Sequence, residues 1–142
     1  MKRVLFVCTG NTCRSPMAAC LFDALCEREK RDCRSDSAGL YAQDGSPASQ
    51  GAYLAMKKRG LSLATHSAQT LTASLIARSD LIVTMTAQHR QLLLSRFPEA
   101  SSKTIVFQPP VPDPFGGPEE RYEQTARAIE GGLSFVFQKL DA

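Results

Sequence analysis

The chain has 142 residues, of which 43% are hydrophobic and 22% charged, a balance that predicts one domain with a substantial core over residues 1–142. The net charge of +3 is too small to indicate nucleic acid binding, and no apolar run has the length of a secretory signal or a membrane span. We therefore expect a cytoplasmic protein that binds neither nucleic acid nor membrane. The five cysteines, an odd number without zinc-type spacing, indicate reduced thiols and no metal site.

Strand-like and helix-like segments alternate along the chain, which is the pattern of a parallel sheet. The predicted strands cover about 3–8, 34–38, 80–84 and 104–107. The predicted helices cover about 16–30, 47–59, 72–78, 87–96 and 119–139, the last after a stiff proline-rich loop at 108–118. The sequence therefore predicts an α/β fold that binds its ligand at the carboxyl ends of the strands.

The segment between the first strand and the first helix carries the chemistry. It reads Cys8-Thr9-Gly10-Asn11-Thr12-Cys13-Arg14-Ser15 and is followed by Pro16. Free amides and the helix dipole favour a phosphate at such a helix start, and they also favour the thiolate form of Cys8. Arg14 can bind two phosphoryl oxygens at once. We call residues 8–15 the phosphate loop and predict Cys8 as a nucleophile with Arg14 as its anion clamp.

Local backbone requirements in the phosphate loop agree with this interpretation. Gly10 allows a close approach of the main chain or a positive φ, and Asn11 is the next most tolerant residue for a left-handed conformation. Ser15 is expected to cap the first helix, with Pro16 in its first position. The start of the helix is therefore predicted directly after the loop.

These motifs resemble the low-molecular-weight protein tyrosine phosphatase family, and the resemblance covers nearly the whole chain. It also includes the segments Asp36-Ser37-Ala38-Gly39, Thr65-His66-Ser67, Asp80-Leu81-Ile82-Val83-Thr84-Met85-Thr86 and Asp113-Pro114-Phe115. The resemblance implies a single phosphatase domain with a four-stranded, doubly wound parallel sheet and helices on both faces. It also implies a phosphocysteine intermediate, a phosphorylated protein substrate and no cofactor.

The resemblance assigns further roles residue by residue. An aspartate before a proline is ordinarily explained by turn chemistry. The resemblance instead makes Asp113 the general acid of the first step and the general base of the second. Ser15 donates a hydrogen bond to the sulfur, while Asn11, Ser37 and His66 match a network that holds the loop. Residues expected to contact the substrate are Thr9, Gly10, Asn11, Thr12, Cys13, Ser15 and Phe115.

Other residues have less defined roles. His66, judged alone, is as consistent with packing as with function, and His89 is expected on an exposed helix face without a role. Cys13 is close enough in sequence to form a protective disulfide with Cys8. Asp80 is expected to be structural. We assign no role to the remaining cysteines, which are Cys20, Cys26 and Cys33.

Two positions bear on the substrate. Thr12 stands where many relatives of this family have a larger aliphatic residue, and Phe115 is the only aromatic residue after the Asp-Pro pair. Both features resemble the bacterial protein-arginine phosphatase branch, so phosphoarginine is slightly preferred and phosphotyrosine is the alternative.

An arsenate reductase needs relay cysteines beyond the loop, and none follows Cys33. A non-catalytic phosphate-binding module would not require Cys8 together with Asp113. The sequence does not indicate an oligomeric state.

Overall fold

A computed structural model describes residues 1–142 and contains one parallel sheet of four strands. The strands are β1 (Lys2–Cys8), β2 (Cys33–Gly39), β3 (Leu81–Thr84) and β4 (Thr104–Val106). They lie in the order β2-β1-β3-β4, and every neighbouring pair is parallel. Parallel neighbours require crossover connections, which the helices provide. The predicted α/β fold is confirmed.

Five α-helices cover the two faces of this sheet. They are α1 (Arg14–Arg28), α2 (Gln50–Lys57), α3 (Ala73–Arg78), α4 (Ala87–Arg96) and α5 (Glu119–Asp141). A 3-10 helix over Pro98–Lys103, which the sequence did not predict, leads from α4 into β4. None of these helices has the length and apolar character that crossing a lipid bilayer requires.

The alternation of side chains along β1 divides the core into two parts. Val4 and Phe6 point to the face that packs against α1, α2 and α5, while Leu5 and Val7 point to the face that packs against α3 and α4. All four side chains are fully buried, as expected for a central parallel strand with helices on both sides. The core therefore holds β1 rigidly and presents its last residue, Cys8, at the carboxyl edge of the sheet.

Two helix starts differ from the sequence-based expectation. The first helix begins at Arg14 with Cys13 as its N-cap residue, so the prediction that Ser15 caps this helix is wrong. The Ser15 hydroxyl bonds other side chains of the phosphate loop. The second helix begins at Gln50, because the Ser49 hydroxyl accepts from the Ala52 amide and caps it there.

The prediction that all five cysteines are reduced is wrong for one pair. Cys26 near the end of α1 and Cys33 at the start of β2 form a disulfide, with their Cα atoms 6.2 Å apart. A short connection folds the end of the helix back onto the strand, and the cysteine spacing alone does not reveal this contact. Cys8, Cys13 and Cys20 are free thiols.

Candidate active site

The phosphate loop lies at the carboxyl end of β1, below a pocket of about 230 Å³. The pocket brings together the three residues expected to do the chemistry with most of those expected to contact the substrate. Its lining consists of Cys8, Thr9, Gly10, Thr12, Cys13, Arg14, Asp113 and Phe115. Asn11 and Ser15 lie beneath this lining and are fully buried. The sequence-predicted site is therefore assembled in one place.

Three carbonyl groups of the phosphate loop point toward the surrounding protein. The oxygens of Cys8 and Thr9 accept from the amides of Leu40 and Tyr41 at 3.0 and 2.9 Å, and the oxygen of Thr12 accepts from the Ser49 amide at 2.9 Å. Because N–H and C=O point in opposite directions across a trans peptide plane, the intervening amides face the inside of the loop. This is the arrangement that an anion-binding loop requires.

The end of β2 must approach the loop closely to make these bonds. A Cβ atom at Gly39 would lie 2.6 Å from the Thr9 oxygen and 3.0 Å from the Asn11 nitrogen. Glycine is therefore required at this position. Gly10 does not adopt a positive φ, and a Cβ there would meet only the Thr12 hydroxyl, at 3.9 Å. The loop's left-handed residue is Asn11, with a φ of 58°.

Asn11 is the centre of the predicted supporting network. Its Nδ2 donates to the hydroxyls of Ser15 and Ser37, both at 2.9 Å, and its Oδ1 accepts from the Gln69 amide at 3.0 Å. Its backbone oxygen lies 2.7 Å from Nε2 of His66. The network therefore connects the loop to β2 and to the segment that precedes α3, as expected for residues that orient the loop.

The Ser15 hydroxyl lies directly beside the candidate nucleophile. Its oxygen is 2.9 Å from Cys8 Sγ, and the same oxygen accepts from Asn11 Nδ2. Because Asn11 occupies a lone pair of that oxygen, the hydroxyl proton is free to point at the sulfur. The Ser15 hydroxyl can therefore donate a hydrogen bond to Cys8 Sγ.

Arg14 is held by the long loop between β4 and α5. Its side chain is about 6% exposed, its Nη1 donates to the Val111 oxygen at 3.0 Å, and its Nη2 lies 3.8 Å from Asp113 Oδ2. Asp113 in turn accepts from the Phe115 amide through Oδ1 at 3.1 Å. These contacts place a guanidinium and a carboxylate beside each other in the lining of the pocket that Cys8 also lines.

Cys13 is held by side chains outside the phosphate loop. Its thiol donates to the Ser49 hydroxyl at 3.2 Å and lies 3.7 Å from the hydroxyl of Tyr122 on α5. Burial raises the pKa of Tyr122, so its phenol stays protonated at neutral pH. Sequence reasoning did not identify Ser49 or Tyr122, because their relation to Cys13 exists only after α2 and α5 have packed.

His89 is not on an exposed helix face, and that prediction is wrong. The residue is 6% exposed, and its Nε2 lies 2.9 Å from the Thr9 hydroxyl. Thr86 caps α4 by accepting from the His89 amide, which places His89 in the first turn at the same edge of the sheet as the phosphate loop. In the sequence, a capping threonine at position 86 directly after the predicted strand was the signal that could have placed His89 at this edge of the sheet.

No group of three or more His, Cys, Asp or Glu side chains is arranged to bind a metal ion. The functional groups of the pocket are a thiol with a hydroxyl beside it, a cradle of amides, a guanidinium and a carboxylate. Together these groups can bind a phosphoryl group, attack it with sulfur and exchange a proton with the departing or entering group.

Comparison with known proteins agrees with this class of site. The profile of the family described as low molecular weight phosphotyrosine protein phosphatase matches residues 3–142. The chain belongs to this family.

Two sequence relatives represent the two substrate classes. A protein-arginine-phosphatase of Geobacillus stearothermophilus is 37% identical over 145 residues, covering 97% of this chain and 95% of the relative. A probable low molecular weight protein-tyrosine-phosphatase, EpsP of Ralstonia nicotianae, is 34% identical over 137 residues, covering 94% and 92%.

Solved structures have the same fold. A variant of the YwlE arginine phosphatase with a phosphorylated active-site serine superposes with a TM-score of 0.93 at 35% identity, covering 98% of this chain and 95% of the other. A low molecular weight protein tyrosine phosphatase from T. tengcongensis gives a TM-score of 0.94 at 37% identity, with coverage of 98% and 99%.

Proposed function

We propose that residues 1–142 form one phosphatase domain that hydrolyses phosphorylated protein side chains, with phosphoarginine preferred over phosphotyrosine. The proposed substrate preference rests on the lining of the pocket, which combines hydroxyl and carboxyl oxygens with one aromatic ring. The similarity to the protein-arginine-phosphatase of Geobacillus stearothermophilus supports it. The cytoplasmic location expected from the sequence remains a prediction.

In the first step, the phosphoryl group lies in the phosphate loop with its oxygens on the amides and on Arg14. The Cys8 thiolate attacks phosphorus, and the bond from phosphorus to the side-chain nitrogen of the substrate breaks. Asp113 delivers a proton to this nitrogen, so that it leaves as an NH₂ group of an ordinary arginine guanidinium. The products are a phosphocysteine and an unmodified arginine side chain.

In the second step, Asp113 is a carboxylate and accepts a proton from an entering water. The water oxygen attacks phosphorus, the sulfur–phosphorus bond breaks, and inorganic phosphate is released. The Ser15 hydroxyl, 2.9 Å from the sulfur, stabilises the thiolate that leaves. One carboxylate therefore serves both steps, which is consistent with its position at the pocket edge.

The preference for phosphoarginine follows from the donors that the substrate brings. A phosphoarginine side chain carries several N–H groups next to phosphorus, and each needs an acceptor once water is excluded. The Thr12 hydroxyl and the Asp113 carboxyl line the pocket, and each can accept from these groups, Asp113 through the oxygen that does not carry the transferred proton. A phosphotyrosyl ring brings no such donors and depends on apolar walls.

Phosphotyrosine remains the alternative substrate because one aromatic side chain is present. Phe115 lines the pocket, although 71% of its surface is exposed. A ring this exposed offers a phenyl group one face and little enclosure. The tyrosine phosphatases among the relatives support keeping this alternative.

The experiment compares kcat/KM on phosphoarginine and phosphotyrosine peptides of the same sequence, for the parent, Thr12→Ile and Thr12→Ser. Leaving one buried donor unpaired costs about 1–3 kcal/mol, so Thr12→Ile is expected to lower the ratio of the two constants by about tenfold or more. Thr12→Ser retains the hydroxyl and is expected to retain the ratio. A parent that prefers phosphotyrosine contradicts the proposal, and so does an unchanged ratio in Thr12→Ile.

We also propose that Cys13 protects Cys8 from over-oxidation. A peroxide oxidises the Cys8 thiolate to a sulfenic acid, and the Cys13 thiol then displaces water from it to form a disulfide. Both thiols are free and line the same pocket. Peroxide followed by a thiol reductant should restore the parent but not Cys13→Ser. Peptide mapping that finds no bond between Cys8 and Cys13 in the inactivated parent contradicts this role.

A further inference from the structure

The contact between His89 and Thr9 joins the first turn of α4 to the phosphate loop. Thr9 follows the candidate nucleophile directly, and its exposed side chain lines the pocket. The buried imidazole meets the Thr9 hydroxyl at 2.9 Å through Nε2. His89 therefore touches a residue of the pocket wall from behind without itself lining the pocket.

The opposite edge of the imidazole has no hydrogen-bond partner. Nδ1 of His89 is buried and makes no hydrogen bond, although buried polar atoms are usually paired. The charged groups that act on the ring are Arg14 on α1 and Asp113 in the loop before α5. Burial and the Arg14 charge lower the pKa of His89 to about 4, against a smaller opposite effect of Asp113. At neutral pH the ring is therefore neutral, and Thr9 is its one hydrogen-bonding partner.

The orientation of the Thr9 hydroxyl follows from this pairing. The Thr9 backbone is held because its oxygen accepts from the Tyr41 amide at 2.9 Å. Its side chain can still occupy three staggered rotamers, and the bond to His89 selects the one in which the hydroxyl meets Nε2. Whichever ring nitrogen carries the proton, the hydroxyl oxygen keeps at least one lone pair for a group in the pocket.

We propose that His89 is a positioning residue that holds the Thr9 hydroxyl as an acceptor for an N–H group of the bound phosphoarginine side chain. The inference rests on the proposed function, and it adds Thr9 to Thr12 and Asp113 as a determinant of specificity. Three oxygen acceptors around one pocket match the several donors of a guanidinium. The same hydroxyl gives a phosphotyrosyl ring no hydrogen bond.

The test is a double-mutant cycle with Thr9→Val, His89→Leu and the double variant, each assayed on phosphoarginine and phosphotyrosine peptides. Each single variant is expected to lower the ratio of kcat/KM for phosphoarginine over phosphotyrosine by about tenfold, the effect of one unpaired donor. The double variant should lose no more than about twofold beyond either single variant, because both remove the same interaction. Losses that multiply in the double variant overturn the pairing.

A rescue variant separates positioning from a general effect on folding. His89→Gln places an amide where Nε2 lies and removes the unpartnered Nδ1, so it should keep the parent's ratio, whereas His89→Leu should not. The matched control is Gln88→Leu, at an exposed neighbouring position on the same helix. Equal losses in Gln and Leu at position 89 overturn the proposal.

The two proposals fail in different ways. A parent that does not hydrolyse phosphoarginine contradicts the proposed function, and the role of Thr9 falls with it. A parent that prefers phosphoarginine, together with a Thr9→Val variant of unchanged ratio, overturns only the present inference. Thr9→Val changes an exposed side chain, so it decides this point even where His89→Leu fails to fold.

Discussion

Replacement of Asn11 by alanine tests whether the phosphate loop is held by the network beneath it. Asn11 is fully buried, has a φ of 58° and makes three side-chain hydrogen bonds. Asn11→Ala removes all three bonds. It also leaves in the left-handed region a residue whose side chain, unlike that of asparagine, cannot form the local hydrogen bonds that help to stabilise this conformation. Asn11→Gly is the matched control, because it removes the same bonds but tolerates the backbone conformation.

The magnitudes follow from these contacts. Three hydrogen bonds at about 1 kcal/mol each account for about 3 kcal/mol, which both variants should lose. The left-handed conformation adds about 1 kcal/mol for alanine, so its loss should be about 4 kcal/mol. Because the free energy of unfolding of a typical domain is about 5–15 kcal/mol, either loss is a large fraction of the total.

The assay is urea unfolding at pH 7, with phosphate affinity measured on the folded protein by calorimetry. Both variants should also bind inorganic phosphate more weakly than the parent, because the amides are no longer oriented before binding. A loss below about 1 kcal/mol in both variants would refute the reasoning about the network. Equal losses for alanine and glycine would refute the reasoning about the backbone.

Three further predictions concern charge and proton transfer. Cys8→Ser should abolish turnover but still bind inorganic phosphate in calorimetry, whereas Arg14→Ala should lose both; phosphate binding by Arg14→Ala at parent affinity would contradict the clamp. Asp113→Asn should slow peptide hydrolysis by about a hundredfold and affect substrates with good leaving groups less, and an equal loss across leaving groups would argue against proton donation. Between pH 6.5 and 4 the unfolded chain protonates His89 while the folded chain, with a pKa of about 4, does not. The parent should therefore lose stability over this range more steeply than His89→Gln in urea unfolding, and parallel curves would contradict the neutral state of the ring.

Features determined by neighbouring residues could be predicted from the sequence. The spacing of Cys8 and Arg14 between a strand and a helix start indicates an anion site, because the strand edge and the helix dipole are both local features. Asn11 was expected to tolerate the left-handed conformation that it adopts. The alternation of strands and helices was sufficient for the fold, since parallel neighbours require crossovers.

Features that depend on packing could not be predicted in the same way. Serine is a favoured helix N-cap residue, but the Ser15 hydroxyl bonds the side chains of Cys8 and Asn11. These side chains approach it only when the loop has folded. His89 has polar neighbours in sequence and was predicted to be exposed, yet it is buried and its ring meets Thr9 in the loop after β1. The bond between Cys26 and Cys33 likewise depends on how α1 returns to β2.

The chemical identity of the covalent intermediate shows directly whether Cys8 is the nucleophile. The parent is mixed with a phosphoarginine or a phosphotyrosine peptide, quenched within a turnover and digested after Arg3 and Arg14, so that residues 4–14 form one peptide for mass spectrometry. We expect a single phosphoryl group on this peptide, placed by fragmentation on Cys8 and not on Cys13, and formed faster from phosphoarginine. A phosphoryl group on any other residue, or phosphate release without an adduct on Cys8, would contradict this expectation.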